Sequence, residues 1–196
     1  MSKRQLPTRD RIVKAALTLL SSKGNSAVRL SDVARQAGVS RQAIYLHFSS
    51  RADLFIAATQ ALDAELDLAA MLHASRTAAS GRDRLTAFVS AWCSYVPQIY
   101  CVARPLMDMA PRDAEAHAAW SKRMNDLREG CEAAITALRD DDDLPRNMDP
   151  ETATDTLWSL LTVPNWENLV VTRGWPQAKY EQEMVKTAQS LFVAPR

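Results

Sequence analysis

Several common classes of protein are excluded by what this sequence lacks. It has three cysteines, Cys93, Cys101 and Cys131, an odd number without a Cys-x-x-Cys spacing, so neither a disulfide framework nor a zinc site is indicated and a reducing cytoplasm fits. No apolar run approaches the roughly 18 residues that a bilayer requires, and the opening MSKRQLPTRD lacks the apolar core of a signal peptide; membrane insertion and secretion are not expected. The five glycines form no phosphate-cradling loop. No Glu-x-x-His pair or local nucleophile signature is present, so the chain reads as a non-enzyme without cofactor or metal. No stretch alternates apolar and polar residues as a half-buried strand does, which leaves an all-α fold.

The net charge of +1 hides an uneven distribution. From Met1 to Arg51 there are ten Lys or Arg against Asp10 and Asp32, a balance of +8; the remainder has 14 basic and 21 acidic residues, a balance of −7. Such a division marks a basic head that meets a polyanion and a body that does not. With 47% hydrophobic residues, both parts can build ordinary cores.

Within the head, Leu30–Leu54 reads LSDVARQAGVSRQAIYLHFSSRADL. Leu30, Val33, Ala34 and Ala37 follow a helical period, Gly38 supplies an unusual backbone angle and Val39 plugs the turn. Ser40 then caps a second helix that turns Ala43, Ile44 and Phe48 inward and Arg41, Gln42, Tyr45 and His47 outward. Arg, Gln and Ser donate to phosphates and base edges, so the outward face suits DNA; the alternative is any helical hairpin with a polar face. Ahead of it, Ile12, Val13, Ala16, Leu19 and Leu20 mark a helix from Thr8 or Arg9 to Lys23, stopped by Gly24. The preceding arm offers Lys3 and Arg4 to phosphate or the minor groove.

Beyond the head, Ser49 or Ser50 caps a helix carrying Leu54, Phe55, Ala58, Leu62 and Leu66 to about His73, which connects head and body. Residues 74–82 read as a small-residue loop. Leu85, Phe88, Val89, Trp92, Tyr95 and Val96 predict a helix closed by Pro97, and Ile99, Val102 and Leu106 a shorter one interrupted at Arg104-Pro105. Trp120, Met124, Leu127, Cys131, Ile135 and Leu138 predict a long helix ending by Arg139, because Asp140–Asp143 is unfavourable at a helix C-terminus. That acidic run lacks the pattern of a calcium loop and reads as solvated. A further helix opens at Pro150 or Glu151 and is kinked or broken at Pro164. Gly174 stops it, and Pro176 opens the last helix with Tyr180, Met184, Ala188, Leu191 and Phe192 on one face. These two C-terminal helices present broad apolar faces suited to pairing with a second copy.

The pattern from Arg11 through Leu54, with Ala15, Ala16, Gly24, Asp32, Val33, Ala34, Gly38, Val39, Ser40, Ile44, Tyr45, His47, Phe48 and Leu54, resembles the DNA-binding domain of the tetracycline-repressor (TetR) family. Tyr-x-His-Phe, followed by a basic residue and then Leu54, is its most specific part. The resemblance implies a homodimeric, arch-like all-helical regulator of about nine helices. Two heads would read successive major grooves of a pseudo-palindromic double-stranded operator, with a small molecule in the larger domain altering their separation. It places DNA contacts at Arg29, Ser31, Ser40, Arg41, Gln42, Tyr45, His47 and Arg51. It also divides the chain into a helix-turn-helix domain, residues 1–50, and an effector-binding and dimerisation domain, residues 51–196. Three positions depart from the usual family pattern: Leu20 where Phe is usual, Arg29 where Thr or Ser often caps helix two, and Arg51 where Lys is frequent.

All five tryptophans lie in the body. Trp92, Tyr95, Tyr100, Met107, Trp120, Met124, Trp158 and Trp166, with Arg104, His117 and Asn165 as polar partners, are candidates to line a pocket for a small, largely apolar or aromatic effector. Taken singly each reads as a core residue at helical spacing before it reads as pocket lining, and it is together that they permit a pocket. The expected function is a homodimeric repressor released by that effector; an effector-free architectural DNA binder with a packed body is the rival.

Overall fold

The computed structural model describes residues 6–22 and 28–195, and among these every regular element is helical. Lys3, Arg4, Lys23 and Gly24 lie outside the described residues. Residue contacts divide the chain into two compact units, one running to Leu66 and including Ile99–Ser121, the other comprising Asp67–Gln98 and Lys122 onward.

In the first unit, α1 (Thr8–Ser22) buries Ile12, Val13, Ala15, Ala16, Leu19 and Leu20. The period-3.6 stripe read from the sequence is the face that packs on α2 (Leu30–Ala37) and α4 (Arg51–Leu66). Leu20 is buried, filling its place in the head core as an apolar side chain. Between α2 and α4, the single-turn α3 (Arg41–Tyr45) contributes the buried Ile44. The first turn of α4 meets the Ile99–Ser121 segment through a cluster of Ala52, Leu106 and Ala116, with Ile56, Met109, Ala119 and Trp120 packed around it. Ser50 Oγ also donates to Glu115 Oε2 at 3.1 Å.

The connector is shorter than its periodicity predicts. It stops at Leu66 because Asp67 takes a left-handed conformation, φ 44°, and its carboxylate accepts from Ala70 N–H at 3.2 Å, starting α5 (Leu68–Met71). A short side chain able to bond locally tolerates that angle. A further turn, α6 (His73–Arg76), occupies part of the expected loop.

The prolines correct a second expectation. Pro97 and Pro105 do not divide two helices: α7 runs unbroken over Gly81–Met109. A proline removes one donor and frees the carbonyl four residues earlier. At Pro97 that carbonyl belongs to Cys93, and it accepts from Gln177 Nε2 at 2.7 Å, while Gln177 Oε1 accepts from Trp166 Nε1 at 2.8 Å. The freed group has a partner, so the helix continues.

Asp113 caps α8 (Ala114–Asp140), accepting from Ala116 N–H at 3.0 Å. In the second unit the acidic run that ends it is largely exposed, as expected, with Asp140, Asp141 and Asp142 on the surface, and it also makes contacts that the sequence did not reveal. Asp141 Oδ2 accepts from Gly81 N–H at 2.6 Å, and Asp143 pairs with Arg82 at 2.6 Å. The Asp143 carbonyl accepts from Ala194 N–H, and Arg82 donates to Ala194 O at 2.7 Å. Opposite charge and backbone donors at the start of α7 recruit carboxylates that a helix C-terminus disfavours.

Asp149 caps α9 (Pro150–Leu160), and its bonds from Thr152 N–H and hydroxyl hold its carboxyl below the ordinary range. The helix ends before Pro164, which sits in the first turn of α10 (Val163–Trp166). A π-helical turn, Glu167–Thr172, continues from it, and Gly174, φ 70°, ends the segment. The last helix, α11 (Gln177–Phe192), packs on α9 and the π-helical turn through buried Tyr180, Ala188 and Phe192, while Leu191 is exposed. Among the described residues, eleven α-helices and this π-helical turn agree roughly with the expected nine or so, the extra ones arising where Asp67 and Pro164 cut longer segments into short ones.

Gly81 permits the close approach of α7 to α8. A Cβ there would lie 2.6 Å from the backbone of Ala137 and Leu138, which cannot yield as a flexible side chain can. Gly81→Ala should therefore cost about 1–3 kcal/mol, read as a lower urea midpoint for the full chain; an unchanged midpoint would mean that the helices separate at no cost.

Candidate nucleic-acid interface

The hairpin is held by backbone bonds that follow from its residues. At the end of α2, Gly38 sits at φ 65°, ψ 40°, its N–H reaching Arg35 O at 3.2 Å while Val39 N–H reaches Ala34 O at 3.0 Å. These are the paired bonds of a Schellman turn, which a residue lacking Cβ adopts without strain. One carbonyl that the turn leaves over, Ala37 O, accepts from Arg11 Nη2 at 2.6 Å, and Gly38 O is 3.3 Å from the same nitrogen. A guanidinium at a helix C-terminus gains from both the hydrogen bond and the helix dipole. Arg11 thus ties α1 to the turn that orients α3.

Ser40 starts α3 from extended backbone, its hydroxyl accepting from Ala43 N–H at 3.0 Å, as its position in the sequence predicts. The anchors are Ile44 and Phe48, each 1% exposed, with Phe48 N–H bonded to Ile44 O at 2.9 Å. Arg9 lies over the Phe48 ring, 5.1 Å from its centroid.

The eight residues nominated for DNA contact are all exposed. Arg29 is the N-cap of α2 and makes no side-chain cap bond, and Ser31 lies in the following turn. Arg41, Gln42, Tyr45 and His47 lie on and just beyond α3, with Arg41 Nη2 3.4 Å from the Tyr45 hydroxyl, aligning that pair along one ridge. Arg51 begins α4 with its guanidinium over Phe55, 4.9 Å from the centroid. Their shared exposure around a short helix, beside the basic α1, forms a surface of hydrogen-bond donors suited to phosphate and base edges.

Two residues were missed by reasoning from pattern. Arg11 appears in the sequence only as a polar position between apolar ones, and its role depends on the approach of α1 to the turn. Leu46 is 81% exposed, next to the half-exposed Tyr45. Its signal is an apolar residue that falls off the inward stripe of Ala43, Ile44 and Phe48.

The effector candidates fall into both units. In the second, Trp92 and Tyr95 meet with ring centroids 5.9 Å apart, and Tyr95 OH accepts from Arg123 Nη1 at 2.7 Å. Trp158 Nε1 donates to Met124 O at 3.0 Å, and Trp166 is held through Gln177. Asn165 Nδ2 donates to Ser159 O at 2.7 Å, near the end of α9. The Trp92 indole nitrogen and the Tyr180 hydroxyl are buried without a hydrogen-bond partner among the described residues. In the first unit, Trp120 belongs to the apolar cluster under α4 and His117 is exposed, while Arg104 pairs with Asp108 at 2.7 Å. Tyr100 and Met107 are half-buried. A cleft of about 550 Å³ in the second unit, lined by Ala78–Gly81, Arg84 and polar or small residues of α8, contains none of the nominated side chains.

The cysteines are free. Burial pushes the Cys93 thiol up to about 12, with the charge of Glu181 adding to it, and raises Cys131 as well. Such thiols stay protonated and unreactive near neutral pH. No group of three His, Cys, Asp or Glu suited to a metal occurs among the described residues, and no helix there is long and apolar enough to cross a membrane.

A Schellman turn followed by a capped helix with exposed donors has the form of a helix-turn-helix. Residues 12–58 match the family described as bacterial regulatory proteins, tetR family, so this stretch of the chain carries a domain of that family. The HTH-type transcriptional regulator AcrR of Shigella flexneri is 48% identical over 48 residues, 24% of this chain and 22% of that protein. The HTH-type transcriptional activator FasR of Mycolicibacterium smegmatis is 32% identical over 88 residues, 45% of this chain and 40% of that protein. The matched region thus spans less than half of either relative. A transcriptional regulator from Saccharomonospora viridis, solved in complex with choline, has a TM-score of 0.79 at 19% identity over 95% of this chain and 98% of its own. The regulator FadR of Bacillus subtilis, solved with stearoyl-CoA, has a TM-score of 0.71 at 14% identity over 91% and 96%. At these identities the structural likeness is one of fold.

Arg11→Ala should destabilise the full chain by about 1.5–3 kcal/mol, since it leaves a helix-end carbonyl without its charged donor. Arg11→Lys should restore only part, because an ammonium lacks the guanidinium's fork. Urea unfolding of the three proteins checks this; equal midpoints would show that the turn does not depend on the clamp.

Proposed function

We propose that this protein is a cytoplasmic, homodimeric transcriptional repressor whose two helix-turn-helix heads bind a pseudo-palindromic double-stranded operator and are released by a small, largely apolar or aromatic effector. The observation that carries this reading is the exposed donor surface of α3, fixed by the Arg11-clamped turn on one side and the Ile44 and Phe48 anchors on the other. Phosphate contacts from Arg29, Ser31, Ser40, Tyr45, His47 and Arg51 supply salt-dependent affinity. Arg41 and Gln42 read base edges in the major groove, where Arg suits guanine and Gln suits adenine. Dimer symmetry then sets two half-sites a helical turn, or a multiple of it, apart.

In this reading residues 1–50 are the DNA-binding domain and residues 51–196 serve effector binding and dimerisation. The two C-terminal helical segments pair with the same segments of a second copy, a role supported by the exposed Val171 and Leu191. Unsatisfied Trp92 Nε1 and Tyr180 OH support an effector with a polar group, since buried donors left unpaired cost free energy that a ligand can recover. Choline and stearoyl-CoA in two structural relatives differ too much in chemistry to name this protein's effector. An effector acts by binding more tightly to the dimer spacing that does not fit the operator. The relatives being regulators and not enzymes favours this over catalysis.

Selection of bound duplexes from random sequence should yield a motif with two inverted half-sites, and light scattering should give the mass of a dimer. Recovery of no preferred motif would leave the architectural reading instead. On the selected duplex, Arg41→Ala should weaken binding by about 1–3 kcal/mol and relax preference at one position per half-site; equal mobility-shift titrations for both proteins would remove Arg41 from the reading set.

A further inference from the structure

We propose that Leu46 is a specificity-determining residue that recognises the 5-methyl group of a thymine in the major groove. This rests on the DNA-reading function proposed above and adds an apolar contact to a surface otherwise composed of hydrogen-bond donors. Leu46 is 81% exposed, more than Leu6, Tyr45, Val171 or Leu191, the other large exposed hydrophobics of the described chain. Its backbone is held between two inward-facing anchors. Ile44 and Phe48, two residues to either side, are both buried, and Ile44 O accepts from His47 N–H and Phe48 N–H at 2.9 Å each. With φ −75° and ψ −19°, Leu46 continues the helical path of α3.

That path sets its neighbours. Residues four apart share a helix face, so Leu46 extends the ridge of Gln42 as Tyr45 extends that of Arg41. An isobutyl group can neither donate nor accept, and among base edges in the major groove the thymine methyl is the distinctive apolar feature. Phosphates offer it nothing, and the basic, donor-rich surroundings formed by Arg41, Gln42 and His47 direct a nucleic acid toward it. The occupant that satisfies both the charge and the apolar patch is a duplex with thymine one step beyond the base read by Gln42.

The test uses the full-length protein on its selected duplex, with each thymine replaced in turn by uracil, which removes the methyl group and keeps the hydrogen-bonding edge. Wild type should lose about fourfold in affinity at one thymine per half-site, the value of one buried methyl-sized group. Leu46→Ala should bind the thymine duplex more weakly and show no thymine-to-uracil difference at that position. Gln42→Ala should keep the difference there. Uniform insensitivity of wild type to uracil, or a loss in Leu46→Ala equal for thymine and uracil duplexes at every position, would overturn the proposal, the latter placing Leu46 on the sugar-phosphate backbone. Failure to select any duplex would overturn the DNA-reading function itself and is distinguishable from both.

Discussion

An all-helical chain must satisfy the carbonyls left over wherever a helix ends or is interrupted, and side chains brought in from elsewhere meet that demand at the positions that matter most here. Arg11 takes the carbonyl of Ala37 behind the reading turn. Gln177 takes the carbonyl that Pro97 frees at Cys93. Asn165 covers the end of α9, and Arg82 holds the carbonyl of Ala194. An unpaired carbonyl in a buried place costs about 1–3 kcal/mol, so a few such bonds are comparable with the whole stability of a domain. They also give direction where apolar packing alone does not.

In the reading hairpin this constraint and the chemistry of DNA binding meet. Keeping α3 short leaves few residues to orient, and the Ser40 cap, the Gly38 turn and the Ile44 and Phe48 anchors account for most of its backbone. Side chains on the outer face are then free of structural duties. Arg41 and Tyr45 lie within reach of each other, and Arg51 rests over an aromatic ring, which shortens the range of positions these long side chains explore before DNA arrives.

Much of this was legible in the sequence, for reasons that can be named. Periodicity located α1, α2 and α8 because each buries one stripe, and Ser40 and Gly38 announced their roles because capping and left-handed backbone depend on the residue itself. The outward positions of Arg41, Gln42, Tyr45 and His47 followed from the same period. What stayed hidden depends on partners distant in the chain. A proline rule weighs the lost bond at Pro97 but has no knowledge of Gln177. The run of four aspartates gives no sign that Asp141 and Asp143 reach Gly81 and Arg82, 60 and 61 residues earlier in the chain. Leu46 lies off the inward stripe of Ala43, Ile44 and Phe48, but how far it is exposed depends on the approach of the neighbouring helices and is seen only in the structure.

The bond from Gln177 to Cys93 also orders events in time. Its partners are 84 residues apart, so the middle of α7 has its full set of hydrogen bonds only after nearly all of the second unit has been synthesised and folded back. Contacts of that separation form against the entropy of closing a long loop and belong to the slow steps of folding. During synthesis the nascent α7 carries a weak point at Pro97 until the C-terminal segment arrives. The turn of the reading hairpin, by contrast, is tied by contacts much closer in sequence, from Arg11 to Ala37 and Gly38 and from Arg9 to Phe48.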